Sequence, residues 1–286
     1  MIKFNFKVVS MFALLFSLNS FSAKSVELEF YFPVAVGGAA ASTVEELTNT
    51  YMELNPGVTI KPIYAGSYTD ATTKAITAAK GGNPPPMAVL IAIDIFKFYD
   101  EDLVMPWDDI LSAEEKENWI GGFYSAFMKN SQIDGVTYGI PFQRSTPVLY
   151  YNKDAFREVG LDPERPPQNW AEQLEYAQKL TKKGSDGNIE RYGIRIPTKG
   201  FPSWLTSGLI YQNGGQMTNG LGTETFLDTP EVIEAVQYLV DLSEKHKVMR
   251  PGTLEWGATP KAFFEGQTAM MWTTTGNLTN VRKNAP

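Results

Sequence analysis

From residue 26 to 32 apolar and polar positions alternate among β-favouring side chains, which predicts a strand. A loop with Gly37 and Gly38 follows. Ser42 or Thr43 then caps a helix to about Leu54, with Glu45 and Glu46 in its first turn and Asn55-Pro56-Gly57 ending it. Residues 58–64 read as a second strand, and 69–79 as a helix stopped by Gly81-Gly82 and three prolines. The near-continuous apolar run at 87–93 predicts a strand buried on both faces. Strand, helix, strand, helix, strand is the order of an α/β sheet with parallel strands. Sites in such sheets form beyond the carboxyl ends of the strands, here at 33–40, 65–68 and 94–96.

A second block begins near residue 147. It reads as a strand at 148–151, a helix at 153–159, a proline-rich turn at 162–167 and an amphipathic helix at 170–182 with Leu174, Ala177 and Leu180 on one face. A strand at 192–196, a helix at 204–213 and a long helix at 230–245 opened by Asp228 or Thr229 follow. A short helix at 259–265 ends at Gly266, and 268–272 is an apolar strand. Thr273-Thr274-Thr275-Gly276 then leads into a helix that has barely begun at Pro286. A strand normally follows such a unit, so the expectation is a fragment lacking its C-terminal part. The sequence has no internal repeat and no low-complexity tract.

The N-terminus breaks this pattern. Lys3 and Lys7 precede an apolar run at 8–18, and Ser20-Phe21-Ser22-Ala23 closes it with small residues at alternate positions. That is a secretory signal over residues 1–23, cut after Ala23 or after Ser22. A buried helix is the alternative. No later stretch is long and apolar enough to span a bilayer.

Composition narrows the chemistry. A chain of 286 residues suggests two domains, and 43% hydrophobic with 20% charged residues is ordinary for a globular protein. Cysteine is absent, which removes thiolate metal sites, cysteine nucleophiles and acylated cysteine anchors. The single histidine, His246, argues against multi-histidine metal sites and ordinary Ser-His-Asp triads, and it sits near a helix C-terminus where a cation suits the dipole. The formal charge is −7 with no basic run, so the footprint of a nucleic-acid partner is missing. No cofactor is expected. Aromatics at 13% suit a ring-lined pocket. The acid pairs Glu45-Glu46, Asp108-Asp109 and Glu114-Glu115 are the candidates for a secreted glycosidase, but adjacent acids point apart on regular structure and each pair sits near a helix start, where capping explains it.

Three segments carry a resemblance. STPVLYYNKDAF (145–156) followed by VGLDPERPPQNW (159–170), FFEGQTAMMWTTTGNLTNVR (263–282) and GSYTDATTKAITAAKGGNPPPMAVL (66–90) resemble, in that order of weight, the crossover, return crossover and first-lobe regions of periplasmic solute-binding proteins of ABC importers, in their sugar and glycerol-3-phosphate branch. The resemblance implies a two-lobed α/β fold with ligand in the cleft at the hinge. The first lobe would be 24–145 plus the stretch from about 267 on, and the second about 146–266. It implies a non-catalytic binding protein that captures a small polar solute and delivers it to the transmembrane subunits of a permease; with no cysteine to acylate, the expectation is a monomer free in the periplasm, without a lipid anchor. Glycerol 3-phosphate or a related glycerol phosphodiester is the favoured solute, and a neutral sugar or oligosaccharide the alternative.

The same resemblance marks residues. Tyr68 matches a ligand-contacting tyrosine of the glycerol-3-phosphate binders, and a surface aromatic is the plainer reading. Asp94 stands where the family carries a glutamate that accepts from ligand hydroxyls; a helix N-cap is its bland role. Ser145 matches a ligand-contacting serine, and a serine contact also maps to Thr274 or its neighbour. Read from the residues themselves, Thr274, Thr275, Gly276 and Asn277 form a strand-to-helix turn whose free N–H groups suit an anion or a sugar hydroxyl, although helix capping alone would also account for them. Arg144 departs from the small polar residue expected there; its guanidinium suits a phosphate or carboxylate, or an interlobe salt bridge. Gly37 and Gly38 permit close backbone approach to a ligand, and Trp204 is either a stacking surface or core.

Overall fold

The computed structural model describes residues 25–33, 39–220 and 222–285. The expected signal segment and the candidates Gly37 and Gly38 lie outside the described residues.

The first block opens as expected. β1 (Val26–Phe32) leads to α1 (Ala39–Leu54), β2 (Val58–Tyr64), α2 (Tyr68–Lys80) and β3 (Met87–Ala88), in a parallel sheet of order β2-β1-β3. Two boundaries differ. α1 starts in the alanine run before Ser42 and Thr43, so Glu45 and Glu46 fall beyond its first turn; alanine has the best helix propensity and needs no side-chain cap to begin. β3 is two residues long instead of spanning the run 87–93. Val89 N still donates to Tyr31 O at 2.8 Å, but the chain then turns into a 3₁₀ segment at Ala92–Asp94 that leaves Ile93 exposed. An apolar run by itself does not distinguish a strand from other buried chain.

α2 is fixed by its N-terminus. Asp70 N donates to Ser67 Oγ at 3.2 Å, and Ser67 N donates back to Asp70 Oδ2 at 2.8 Å, a reciprocal capping box. Gly66 sits at φ +97°, where a Cβ would come within 2.6 Å of Asp70 Oδ2, so the loop into the helix requires glycine. Residues 95–137 carry short elements that the periodicity did not predict: α3 (Ile95–Asp100), α4 (Ala113–Asn118), α5 (Ser125–Met128) and a hairpin of β4 (Gln132–Ile133) with β5 (Val136–Thr137). They explain two acid pairs. Asp108 Oδ2 accepts from Thr137 N at 2.7 Å, and Glu115 closes a capping box with Ser112.

The second block contains β6 (Pro147–Tyr151), α6 (Lys153–Glu158), α7 (Trp170–Leu180), β7 (Lys182–Lys183), β8 (Ile189–Arg195), α8 (Pro202–Gln212), α9 (Pro230–Glu244), α10 (Thr259–Phe264), β9 (Thr268–Thr274) and α11 (Leu278–Asn284). Its sheet has the order β6-β9-β8-β7, with β9 antiparallel to β6 and parallel to β8. β9 therefore pairs inside the second sheet, and only its carboxyl end leads back toward the first block. The predicted face of α7 packs inward, with Ala177 and Leu180 fully buried. At Gly193 a Cβ would lie 1.9 Å from Ala177 O, so α7 rests directly on the backbone of β8.

Candidate ligand-binding site

The two blocks meet where β6 begins and β9 ends. Pro147 pairs with Thr274, and just beyond the ladder Thr275 N donates to Thr146 O at 3.0 Å while Thr146 N donates to Thr275 Oγ1 at 3.1 Å. This clasp brings Ser145 beside Gly276: a Cβ on Gly276 would stand 3.7 Å from that of Ser145. Ser145, Thr275 and Gly276 are exposed at this point, whereas Thr274 and Asn277 are buried. Thr274 Oγ1 accepts from Gly276 N at 3.1 Å and Asn277 Nδ2 donates to Thr273 Oγ1 at 2.7 Å, so both side chains brace the turn. The capping role foreseen for the threonines thus falls to Thr274, and the outward hydroxyls are those of Ser145 and Thr275.

Arg144 precedes this clasp. Its Nη2 donates to Ser131 Oγ at 3.0 Å and Phe127 O at 3.5 Å, and its buried Nε has no partner. Among the described residues no carboxylate lies within salt-bridge distance, so the interlobe ion pair is not formed. Burial draws the guanidinium below its usual pKa, opposed by the Tyr68 hydroxyl. Tyr68 is the first residue of α2, and its hydroxyl accepts from Gln143 Nε2 at 2.5 Å. Burial pushes the phenol up, while the Gln143 bond and the charge of Arg144 pull it down. Tyr68, Gln143 and Arg144 therefore form one polar group beside the clasp.

Asp94 adjoins the same helix. Thr72 Oγ1 donates to Asp94 Oδ2 at 2.6 Å, and Thr72 lies one turn along α2 from Tyr68. Asp94 stands at the N-cap position of α3 but makes no capping bond.

From the second block, rings reach across. Tyr68 packs edge-on against Phe201 with centroids 5.9 Å apart, Phe201 against Trp256 at 5.5 Å, and Trp256 against Trp204 at 6.1 Å with planes 30° apart. Trp204 is 37% exposed while Trp256 is 6% exposed with its indole N–H unpartnered. Gly200 permits this packing: at φ +107°, a Cβ would come within 2.7 Å of Trp256 Cβ. Gln143, Phe201 and Trp256 escaped the sequence reading. The Gly200-Phe201-Pro202-Ser203-Trp204 run, a glycine before two aromatics at helical spacing, was the available signal for Phe201; nothing local singled out Trp256 or Gln143.

The structure thus brings Tyr68, Arg144, Ser145, Thr275 and Gly276 to the junction of the blocks, with Asp94 flanking through Thr72 and Trp204 at the end of the ring series. No group of three or more potential metal ligands occurs among the described residues, and no described helix is long and apolar enough to cross a membrane.

Comparison with known proteins agrees with this architecture. The family model for bacterial extracellular solute-binding proteins matches residues 37–286. The sn-glycerol-3-phosphate-binding periplasmic protein UgpB of Shigella dysenteriae is 28% identical over 256 residues, covering 87% of this chain and 56% of the relative. The chain therefore spans little more than half the length of the curated relatives it matches. Among solved structures, UgpB from Mycobacterium tuberculosis in complex with glycerophosphocholine superposes with a TM-score of 0.77 at 22% identity, covering 91% of this chain and 63% of that one. The maltose/maltodextrin-binding domain MalE from Bdellovibrio bacteriovorus bound to maltotriose gives a TM-score of 0.75 at 19% identity, with 91% and 63% covered. The fold is the mixed α/β fold of two-lobed periplasmic binding proteins. With the family model matching residues 37–286, most of its length, the chain belongs to the bacterial extracellular solute-binding protein family.

Proposed function

We propose that this chain is the ligand-capturing part of a solute-binding protein of an ABC importer, and that its solute is glycerol 3-phosphate or a related glycerol phosphodiester. The observation that carries the reading is Arg144: a half-buried guanidinium with no carboxylate partner among the described residues, beside Tyr68 and Gln143 and one residue from Ser145. A phosphate at the clasp would supply the missing anion, with Ser145, Thr275 and the Gly276 backbone as neutral donors. Asp94 would accept from a glycerol hydroxyl. The curated relative UgpB, named for binding sn-glycerol 3-phosphate, supports the same chemistry.

The lobes divide at 145/146, and the pairing of β9 in the second sheet favours a return crossing after Thr274 in preference to a boundary near 267. Ligand seated at this junction would be enclosed by hinge closure, and delivery to the permease follows from unequal affinity of the open and closed states. No covalent step is involved. The protein acts as a monomer in the periplasm, exported by the segment 1–23.

A neutral oligosaccharide is the second reading, favoured by the ring series from Tyr68 to Trp204, which offers stacking surface for sugar faces. Calorimetric titration with glycerol 3-phosphate, then maltose and trehalose, separates the two. Binding of the phosphate ester alone is the expected result. Binding of a sugar without any response to the phosphate ester moves the assignment to carbohydrate uptake.

A further inference from the structure

A second cationic site lies at the opposite end of the second sheet. A cavity of about 420 Å³ opens beside the first residues of β9, lined by Arg195, Arg250, Gln267, Thr268, Tyr192 and Glu190 among others. It is about 20 Å along β9 from Thr274, at ~3.3 Å per residue, so it shares no residue with the clasp.

Its two arginines lack counterions among the described residues. Arg195 is 9% exposed, and Nε is held by a 3.2 Å bond to Thr259 Oγ1, whose own hydroxyl donates to Glu255 O at 3.0 Å. That fixes the plane of the guanidinium and leaves its terminal nitrogens without a bonded partner among the described residues. Arg191, four residues earlier on β8, shows the ordinary solution: it pairs with Glu158 at 2.6 Å. Neither Arg195 nor Arg250 makes such a pair. Glu190 lies against Gly184 and bridges to neither. Burial lowers the Arg195 guanidinium below its usual pKa, and the charge on Arg250 lowers it further. A buried cation facing a like charge is costly unless an anion joins them.

We propose that this cavity binds a small oxyanion of the phosphate or sulfate class, bridged between the guanidinium groups of Arg195 and Arg250 with the Gln267 amide as a neutral donor. Both guanidinium groups line the one cavity, and a guanidinium's planar fork suits the oxygens of such an anion.

The test titrates inorganic phosphate into the protein carrying Arg144→Met, with sodium chloride at equal ionic strength as control, by calorimetry and by thermal melting. Arg144→Met removes the cleft's cation, so a response there reports this cavity. Saturable binding and a rise in Tm are expected; adding Arg250→Gln, an exposed position whose substitution leaves the core intact, weakens the affinity at least tenfold and shrinks the Tm rise. Arg195→Met abolishes the response and, without phosphate, holds or raises Tm because an unpaired buried charge is gone. Absence of saturable binding, or binding that survives both Arg250→Gln and Arg195→Met, overturns the proposal. So does phosphate binding by the parent protein that Arg144→Met eliminates, since the anion then belongs to the cleft. Failure of glycerol 3-phosphate to bind, with the phosphate response intact, defeats the cleft reading and leaves this one standing.

Discussion

Among the described residues, the second block holds a cluster of sixteen buried residues from Ala155 to Met270 and a second of four, Leu209, Ile210, Val232 and Ala235, bridged by the partly buried Tyr238, Leu239 and Trp272, whereas the first block holds two separate clusters of three, Phe32 with Val44 and Val89, and Ala75 with Ile76 and Phe98. The difference tracks topology. In the second block, β9 returns from far along the chain to lie between β6 and β8, so its residues pack against helices on either side. In the first, three parallel strands carry neighbouring helices, and Leu47, Tyr51, Leu54 and Phe96 are about half exposed or more. The proposed ligand site sits on the boundary between a block with large, bridged clusters and one with small, separate ones. A firm platform of rings thus faces a less consolidated wall that carries Arg144 and Tyr68.

The sharpest way to break this comparison is a matched pair of core deletions. Phe156→Ala should cost ~3–5 kcal/mol, the range for removing a fully buried phenylalanine, because the surrounding cluster cannot collapse into the space. Phe32→Ala should fall at or below the bottom of that range, ~3 kcal/mol, in its smaller cluster. Urea unfolding of both variants checks it, and equal losses would mean that the two cores are equally consolidated. Arg144→Met should weaken glycerol 3-phosphate binding by about 2 kcal/mol, or roughly thirtyfold, the worth of a hydrogen bond to a charged group, while leaving stability near that of the parent. Calorimetry and thermal melting of the same variant read the two effects separately, and unchanged affinity would remove the phosphate from the clasp.

Smaller effects sharpen the picture at α2. Ser67→Ala should destabilise by ~1 kcal/mol through loss of the N-cap. Its partner Asp70 makes this loss pH-dependent. The Ser67 hydrogen bonds hold the carboxyl below its ordinary pKa of 3.8, so Asp70 contributes stability above that value and loses it as pH falls through the lowered folded value. The gap between parent and Ser67→Ala should therefore be full at neutral pH and narrow in strong acid, as melting curves at several pH values would reveal. Smallest of all, Leu54→Ser should change stability by less than ~0.5 kcal/mol, because that side chain is 76% exposed. A larger loss would show the first block to be better sealed than its burial indicates.

The glycines separate two kinds of local instruction. Gly66 and Gly200 occupy left-handed backbone where a Cβ would strike a neighbour, and each sets the approach to a site residue, Tyr68 and Phe201 respectively. Gly193 is constrained by a distant partner, the carbonyl of Ala177 on α7, which only packing reveals.

The sequence determined what depends on neighbours along the chain. Alternation and apolar spacing specified β1, β2, α2, β6, α7 and α9 to within a few residues, and the segments at 66–90, 145–156 and 263–282 specified which parts would form the junction. The positions of Arg144, Ser145 and Tyr68 at the junction were legible for the same reason, since each sits within or beside one of those segments. Tertiary structure decided the rest. It placed β9 in the second sheet, shortened the apolar run at 87–93 to the two residues of β3, turned Thr274 inward and Thr275 outward, and gathered Gln143, Phe201 and Trp256 around Tyr68. Apart from the local bond of Thr274 Oγ1 with Gly276 N, these outcomes rest on contacts between residues tens to more than a hundred positions apart, and on which surfaces find cover. Periodicity records which face of an element is apolar, but the partner that covers that face is chosen only when the whole chain packs.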